Sequence, residues 1–419
     1  MDDPMKIDTT PPTIKDRLIA DLSPEHKVYI KSAASYYHTS IDDLQNHGIL
    51  NLPALFTSNL RGNVHSFVAK DNIVPAIMTS ETYEKLMPAW LLFTKFVTEP
   101  YTLRYYTTNA VSNFGYYTPK ADPTAERLID LSSKAEIAKW VNTEYDFSLT
   151  HEDKRDGVNK YHRIYLAPVD PNDNINLIIA TSRTIDQLHQ YTRYVIKADV
   201  ARNVFAQADI NKKRTHVSDS MEIQFSPDLL QFAADIDPSQ DYDLFLRLCW
   251  ILATTIGHEL IHVINFIRFH DTESGHNISL EDEFVIWNSR ANKECEDGFA
   301  WEIDMFGFKL EPLPYPEYYE TRKSQWNPIT STLIPKYGMF AYEWPEGGKL
   351  LDHHKRWAVS MNYIAQWFSE ENWEHIGSTG KPMIEDPRSS LEIEYKRRYG
   401  VRILDWRTLE TIPSNMTPP

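Results

Sequence analysis

Hydrophobic positions along the chain switch between two periods. From about residue 16 to 150 they recur mostly at helical spacing, broken by turn signals, with M-P-A-W-L-L-F-T-K-F-V a strongly apolar example. K-Y-H-R-I-Y-L-A-P (160–168) and N-I-N-L-I-I-A (174–180) are rich in β-branched and aromatic residues. V-D-P-N-D-N between them carries turn chemistry, so the pair predicts a hairpin. The pattern over 183–198 predicts a helix. M-E-I-Q-F-S (221–226) alternates: Met221, Ile223 and Phe225 face one way, Glu222, Gln224 and Ser226 the other, as in a half-buried strand. Asp237-Pro238 offers an N-cap and a first-turn proline, predicting a long helix through Leu244, Leu248 and Leu252 and on past His262. A polar loop (270–279) is followed by a second helix at about 281–306, a Pro-rich break (311–317) and a last helix over 356–368.

These elements predict a helix-rich α+β protein in two parts. A helical N-terminal region carrying the hairpin spans 16–215, and a second region with a small mixed sheet spans 216–400. Residues 1–15 and 401–419 read as loose tails.

The long helix carries I-G-H-E-L-I-H (256–262), an H-E-x-x-H pattern. Residues four apart on a helix share a face, so His258 and His262 can present two imidazoles to one metal ion. Glu259, rotated by about 100°, cannot easily share that ligand position, but its carboxylate can reach a water on the metal. Two zinc ligands and a general base result. Zinc lowers the pKa of a bound water from 15.7 to ~7, and Glu259 takes the proton. The bland alternative is two histidines satisfied within a helix, but polar groups in so apolar a helix need partners.

A catalytic zinc needs a third protein ligand and an open position. The arrangement H-E-x-x-H-x-x-G-x-x-H is absent, because Asn265 and Arg268 stand at its glycine and third histidine. A glutamate on a following helix is the remaining pattern. Glu296 in E-C-E-D-G-F-A-W-E is the first candidate, since Gly298 beside it permits close approach of another helix. Glu281, 19 positions after His262, and Glu302, Glu294 and Asp297 stay open. Those that do not bind metal are expected to orient the histidines or to be solvated.

H-E-L-I-H followed by E-D-G-F-A-W-E-I-D-M-F-G resembles a family of leaderless fungal proteins with H-E-x-x-H, then E-x-G-x-x-x-E and an F-G pair, then an aromatic-rich helix. Glu296, Gly298, Glu302 and Phe306-Gly307 fit the middle element, and S-M-N-Y-I-A-Q-W-F-S-E-E-N-W (360–373) is similar to the last. D-G-F-A is also similar to the N-E-G-F-A of gluzincin aminopeptidases, with Asp297 where that family has its ligand. The resemblance covers about 220–375 and implies a zincin-like core with metallopeptidase-like chemistry. Zincins usually have an edge strand above the motif helix that binds extended substrate, and M-E-I-Q-F-S is the candidate, an ordinary sheet strand being the alternative. A transition-state donor is also expected, with His353, His354, Tyr342 and Tyr363 as candidates.

Composition narrows the picture. The chain has 419 residues and a net charge of −16, which disfavours phosphate backbones as partners. The N-terminus M-D-D-P-M-K-I-D-T-T-P-P lacks the basic and apolar regions of a secretory signal. The longest apolar run, 248–257, ends at His258 and Glu259, short of the ~20 residues a membrane span needs. A soluble cytoplasmic protein is expected. Cys249 and Cys295 make no disulfide framework, and the sequons at Asn277 and Asn415 then carry no meaning. His270 and His276 read as solvated loop residues. The reading is zinc-assisted hydrolysis of an amide or peptide bond, with His258, His262 and Glu296 on the metal. Its alternatives are a zinc enzyme tailoring a small molecule in a biosynthetic pathway and a non-catalytic scaffold or binding protein.

Overall fold

The computed structural model describes residues 45–52, 56–111, 114–117, 119, 121–122, 124–131, 133–143, 164–166, 175–197, 206–210, 221–269, 286–287, 297–312, 339–342, 353–396, 400–405 and 410–412. The first half holds the helices α1 (Lys70–Ile73), α2 (Ser80–Lys85), α3 (Met87–Thr98) and α4 (Pro100–Val111). The strands β1 (Phe114–Tyr117) and β2 (Arg127–Asp130), helix α5 (Lys134–Thr143), strand β3 (Ile164–Leu166) and helix α6 (Ile175–Leu188) follow. Then come β4 (Thr192–Ile196), β5 (Ala206–Ile210), β6 (Met221–Phe225), α7 (Pro227–Asp235) and α8 (Tyr242–Phe269). The remainder is β7 (Ile286–Trp287), α9 (Asp297–Phe306), β8 (Lys309–Pro312), β9 (Met339–Tyr342), β10 (His353–Val359), α10 (Met361–Gln366), α11 (Glu370–Thr379), β11 (Arg388–Lys396), β12 (Gly400–Asp405) and β13 (Glu410–Ile412). The class is helix-rich α+β, with a helical N-terminal region and a small mixed sheet.

Helix α8 is the axle of the fold and packs against α3, α4, α9, α10 and β5. Leu246, Leu248, Cys249, Trp250, Leu252, Ala253, Ile256, Leu260 and Ile261 on it are fully buried, so it is apolar almost all round. By length and composition it could cross a membrane, but 89% of its apolar window is buried inside the protein. Between Leu244 and Asn265 the half-buried positions are Thr255, His258 and His262. These recur at helical spacing, so this core helix opens along one stripe, the stripe of the two histidines. Beneath it lies an aromatic cluster: Phe306 meets Trp250, Phe96, Trp301 and Trp367 at ring-centre distances of 5.6, 5.9, 5.7 and 5.3 Å. At the other end of α8 the buried Arg247 donates to the carbonyls of Leu50 and Ile49 at 2.6 and 3.3 Å. Burial lowers the pKa of its guanidinium to about 10.

Three sheets are described. The mixed sheet has the order β4-β6-β5, with β4 parallel and β5 antiparallel to β6. The others are a four-stranded sheet, β2-β1-β3-β7, and a six-stranded antiparallel sheet, β13-β12-β11-β10-β9-β8.

Several expectations are corrected. The hairpin does not form: β3 pairs with β1 and β7, and I-N-L-I-I-A (175–180) lies in α6, where Ile178, Thr181, Ile185 and Leu188 are buried at helical spacing. The helix over 183–198 ends at Leu188, and Thr192–Ile196 is a strand because Thr192 and Tyr194 alternate into the core. The N-cap of α8 is Asp241, whose Oδ1 accepts from Leu244 N–H at 2.9 Å; Asp237-Pro238 instead makes a turn closed by Gln240 N–H. The helix over 281–306 is replaced by β7 and, separately, α9. The first part of the 356–368 helix is strand β10, and α10 begins only after Ser360, whose hydroxyl accepts from Tyr363 N–H. Residues 401–405 of strand β12, and strand β13, lie in the expected C-terminal tail and belong to the six-stranded sheet, which stands beside the small mixed sheet that was foreseen. The expected tail over 1–15, Cys295, both sequons, His270 and His276 lie outside the described residues.

Candidate metal centre

His258 and His262 stand one turn apart on the open stripe of α8, with ring centres 5.3 Å apart and planes tilted by 60°. Behind them runs α9. Glu302 on α9 brings Oε1 to 2.8 Å from His258 Nδ1, while its Oε2 accepts the Leu310 N–H of β8 at 2.9 Å. An ionised carboxylate only accepts, so the imidazole donates through Nδ1 and presents Nε2 as its acceptor nitrogen. That is how a carboxylate prepares a histidine for a metal.

Gly298 sets the distance between the helices. A β-carbon added there would lie 2.3 Å from both Cδ2 and Nε2 of His258 and 2.5 Å from Cγ. Three such similar distances put that position over the face of the ring, not beyond its edge. The α9 backbone therefore lies flat on one face of the imidazole and does not itself stand in the in-plane Nε2 direction. The contact is reciprocal: a β-carbon on Gly257 of α8 would lie 2.4 Å from the Trp301 ring of α9. Phe299 adds an edge contact to His258, at 4.9 Å and 82°.

Glu259 is buried and accepts the backbone N–H of Ala208 at 2.5 Å. Ala208 stands opposite Ile223 in the β5–β6 ladder. Its N–H points away from that ladder, as it does in a non-hydrogen-bonded pair of an antiparallel sheet. The expected edge strand is corrected accordingly: M-E-I-Q-F is the middle strand β6, and β5 is the edge strand beside the motif helix among the described residues. A backbone amide leaves no side-chain signature, so nothing in the sequence singled out Ala208.

Among the described residues no third His, Cys, Asp or Glu joins the two histidines in a group able to hold a metal ion. Asp297, buried at the start of α9, accepts from the Asn265 side-chain amide, and its main-chain carbonyl accepts from Tyr105 Oη at 3.3 Å. Glu302 has both oxygens engaged as above. Glu281, Glu294 and Glu296 lie outside the described residues. Of the transition-state donor candidates, Tyr363 is corrected: it is fully buried, and its hydroxyl donates to Phe306 O at 3.4 Å in the aromatic core. Tyr342 lies on β9 and His353 and His354 on β10, with their side chains outside the description. The buried Lys309, whose Nζ sits 3.4 Å from the Phe299 ring centre, was missed because one lysine beside a Pro-rich stretch carries no sequence signal.

Two imidazoles on one face, one with its Nδ1 on a carboxylate, fit a borderline-soft divalent ion such as zinc. No family model, curated protein or solved structure matches this chain.

Proposed function

We propose that the protein is a zinc-dependent hydrolase of zincin-like architecture that cleaves an amide or peptide bond. The observation that carries this reading is the pairing of an open histidine stripe on a buried helix with a carboxylate behind it. His258 and His262 sit where α8 is half-buried, and Glu302 fixes the His258 tautomer at 2.8 Å. His258, His262 and Glu296 would hold the ion. Bound zinc would supply Lewis acidity and lower the pKa of its water. Glu259 is the general base and then the acid. The Ala208 N–H of β5 holds the Glu259 carboxylate beside the mixed sheet.

The test is metal analysis of the purified protein together with peptide-library digestion read by mass spectrometry. Stoichiometric zinc is expected, with cleavage abolished in Glu259→Gln while zinc is retained. Metal-free protein under zinc-replete purification, or full cleavage by Glu259→Gln, overturns the reading.

A further inference from the structure

The open stripe of α8 ends at Asn265. This residue stands three positions beyond His262 and seven beyond His258, so it continues the face of the two histidines. It is nevertheless only 4% exposed. What meets it there is Asp297, the first residue of α9, whose Oδ2 accepts from the Asn265 side-chain N–H. The next residue, Gly298, lies on the face of His258. Two successive residues of α9 thus touch the stripe on either side of His262, and the chain enters α9 across it. The main chain is fixed at the same point, because the Asp297 carbonyl accepts from Tyr105 Oη at 3.3 Å.

Stability alone does not account for the Asn265 amide. An ionised carboxylate accepts and does not donate, so the amide turns its NH2 to Asp297 and its oxygen away. That oxygen is buried and has no protein partner among the described residues. An unpaired buried acceptor lowers stability, and an apolar side chain of similar size would avoid it. The contribution of the amide therefore lies in what its N–H holds.

Resting on the zinc-hydrolase reading, we propose that Asn265 is a positioning residue of the metal centre. Acting through Asp297, it fixes where the chain enters α9, and so delivers the carboxylate of the preceding residue, Glu296, to the ion on His258 and His262. Asn265 itself touches neither ion nor substrate.

The experiment uses the full chain and reads three quantities: zinc affinity by competition with a chromophoric chelator, the visible spectrum of the cobalt(II)-loaded protein, and the melting temperature of the stripped protein. In Asn265→Ala, measured below its melting temperature, zinc affinity should fall about tenfold, the lower end of what outer partners of a ligand contribute. The cobalt spectrum should change with it, because the ligand set is disturbed. The exchanged pair, Asn265→Asp with Asp297→Asn, restores an amide–carboxylate hydrogen bond with the partners swapped, and should recover most of the affinity and the native spectrum. Native affinity and spectrum in Asn265→Ala, whatever its melting temperature, would make the contact one of packing alone and overturn the proposal while the metal reading stands. An exchanged pair that recovers neither would assign the effect to the Asp297 charge in its own place, and also overturns it. Failure of the native chain to take up any metal overturns the metal reading and this proposal with it.

Discussion

At the scale of single residues the site depends on what stands against His258. Its Nδ1 faces Glu302, one face lies under Gly298, and Phe299 meets it edge-on. Each contact makes a separate prediction. In Gly298→Ala the new methyl would lie 2.3 Å from the ring, closer than atoms pack, so the helices must part or the imidazole must turn. Overpacking of this kind costs about 1–3 kcal/mol, outweighing the gain in helix propensity. The expected result is a lower melting temperature together with weakened zinc binding, read by calorimetry. Glu302→Gln changes little in shape and leaves an amide oxygen that can still accept from one donor. It removes the charge that makes His258 a strong donor atom, so zinc affinity should fall 10–100-fold with the fold intact by circular dichroism. Unchanged zinc affinity in Glu302→Gln would mean that the 2.8 Å contact is structural only.

At the scale of elements, α8 and α9 interlock through reciprocal glycines, and a pair of substitutions separates packing from propensity. Gly257→Ala drives a methyl to 2.4 Å from Trp301 and should destabilise by about 1–3 kcal/mol. Gly377 lies in α11 with nothing within 4 Å of an added β-carbon, so Gly377→Ala should stabilise by about 0.4–1 kcal/mol. Chemical denaturation of both variants checks the pair, and equal effects would contradict the interlock. These elements also show what could be read in advance. The motif was legible because His258 and His262 need only an i, i+4 helix, a local property. Gly298 was legible for the same reason, since a small residue inside an apolar helix marks close approach. Strand β6 and part of β3 were legible from local pattern, but the pairing of the strands was not. Ile164–Leu166 pairs with β1 and β7, distant in sequence, and no local pattern specifies such partners. In N-I-N-L-I-I-A the β-branched residues suit a strand, but the buried set Ile178, Thr181, Ile185 and Leu188 has helical spacing, and tertiary burial decided. In β10 the reverse holds: Trp357, Ala358 and Val359 form a short apolar run that periodicity alone cannot assign, and pairing with β9 and β11 makes it a strand.

At the scale of the whole molecule, the groups around the candidate metal come from separate stretches of chain: Ala208 on β5, the histidines on α8, Glu302 on α9 and Lys309 on β8. The far end of α8 is tied to the protein without any metal, through Arg247 to the carbonyls at 49–50 and through Asp243 to Leu52 N–H. A metal at the motif end would act as a second tie, between α8 and the chain just before α9, and it would exist only in the folded state. A ligand with that property stabilises by about 2.7 kcal/mol at a hundredfold excess over its dissociation constant. For a chain of 419 residues this corresponds to a rise of about 3 °C in melting temperature. Zinc added to chelator-stripped protein should produce that rise, and chelator should reverse it. His262→Ala should melt near the stripped protein and fail to respond, because one imidazole cannot close the tie. A zinc response of equal size in His262→Ala would place the ion elsewhere on the surface, and no response in the native chain would leave the open stripe of α8 without the ion that its histidines fit.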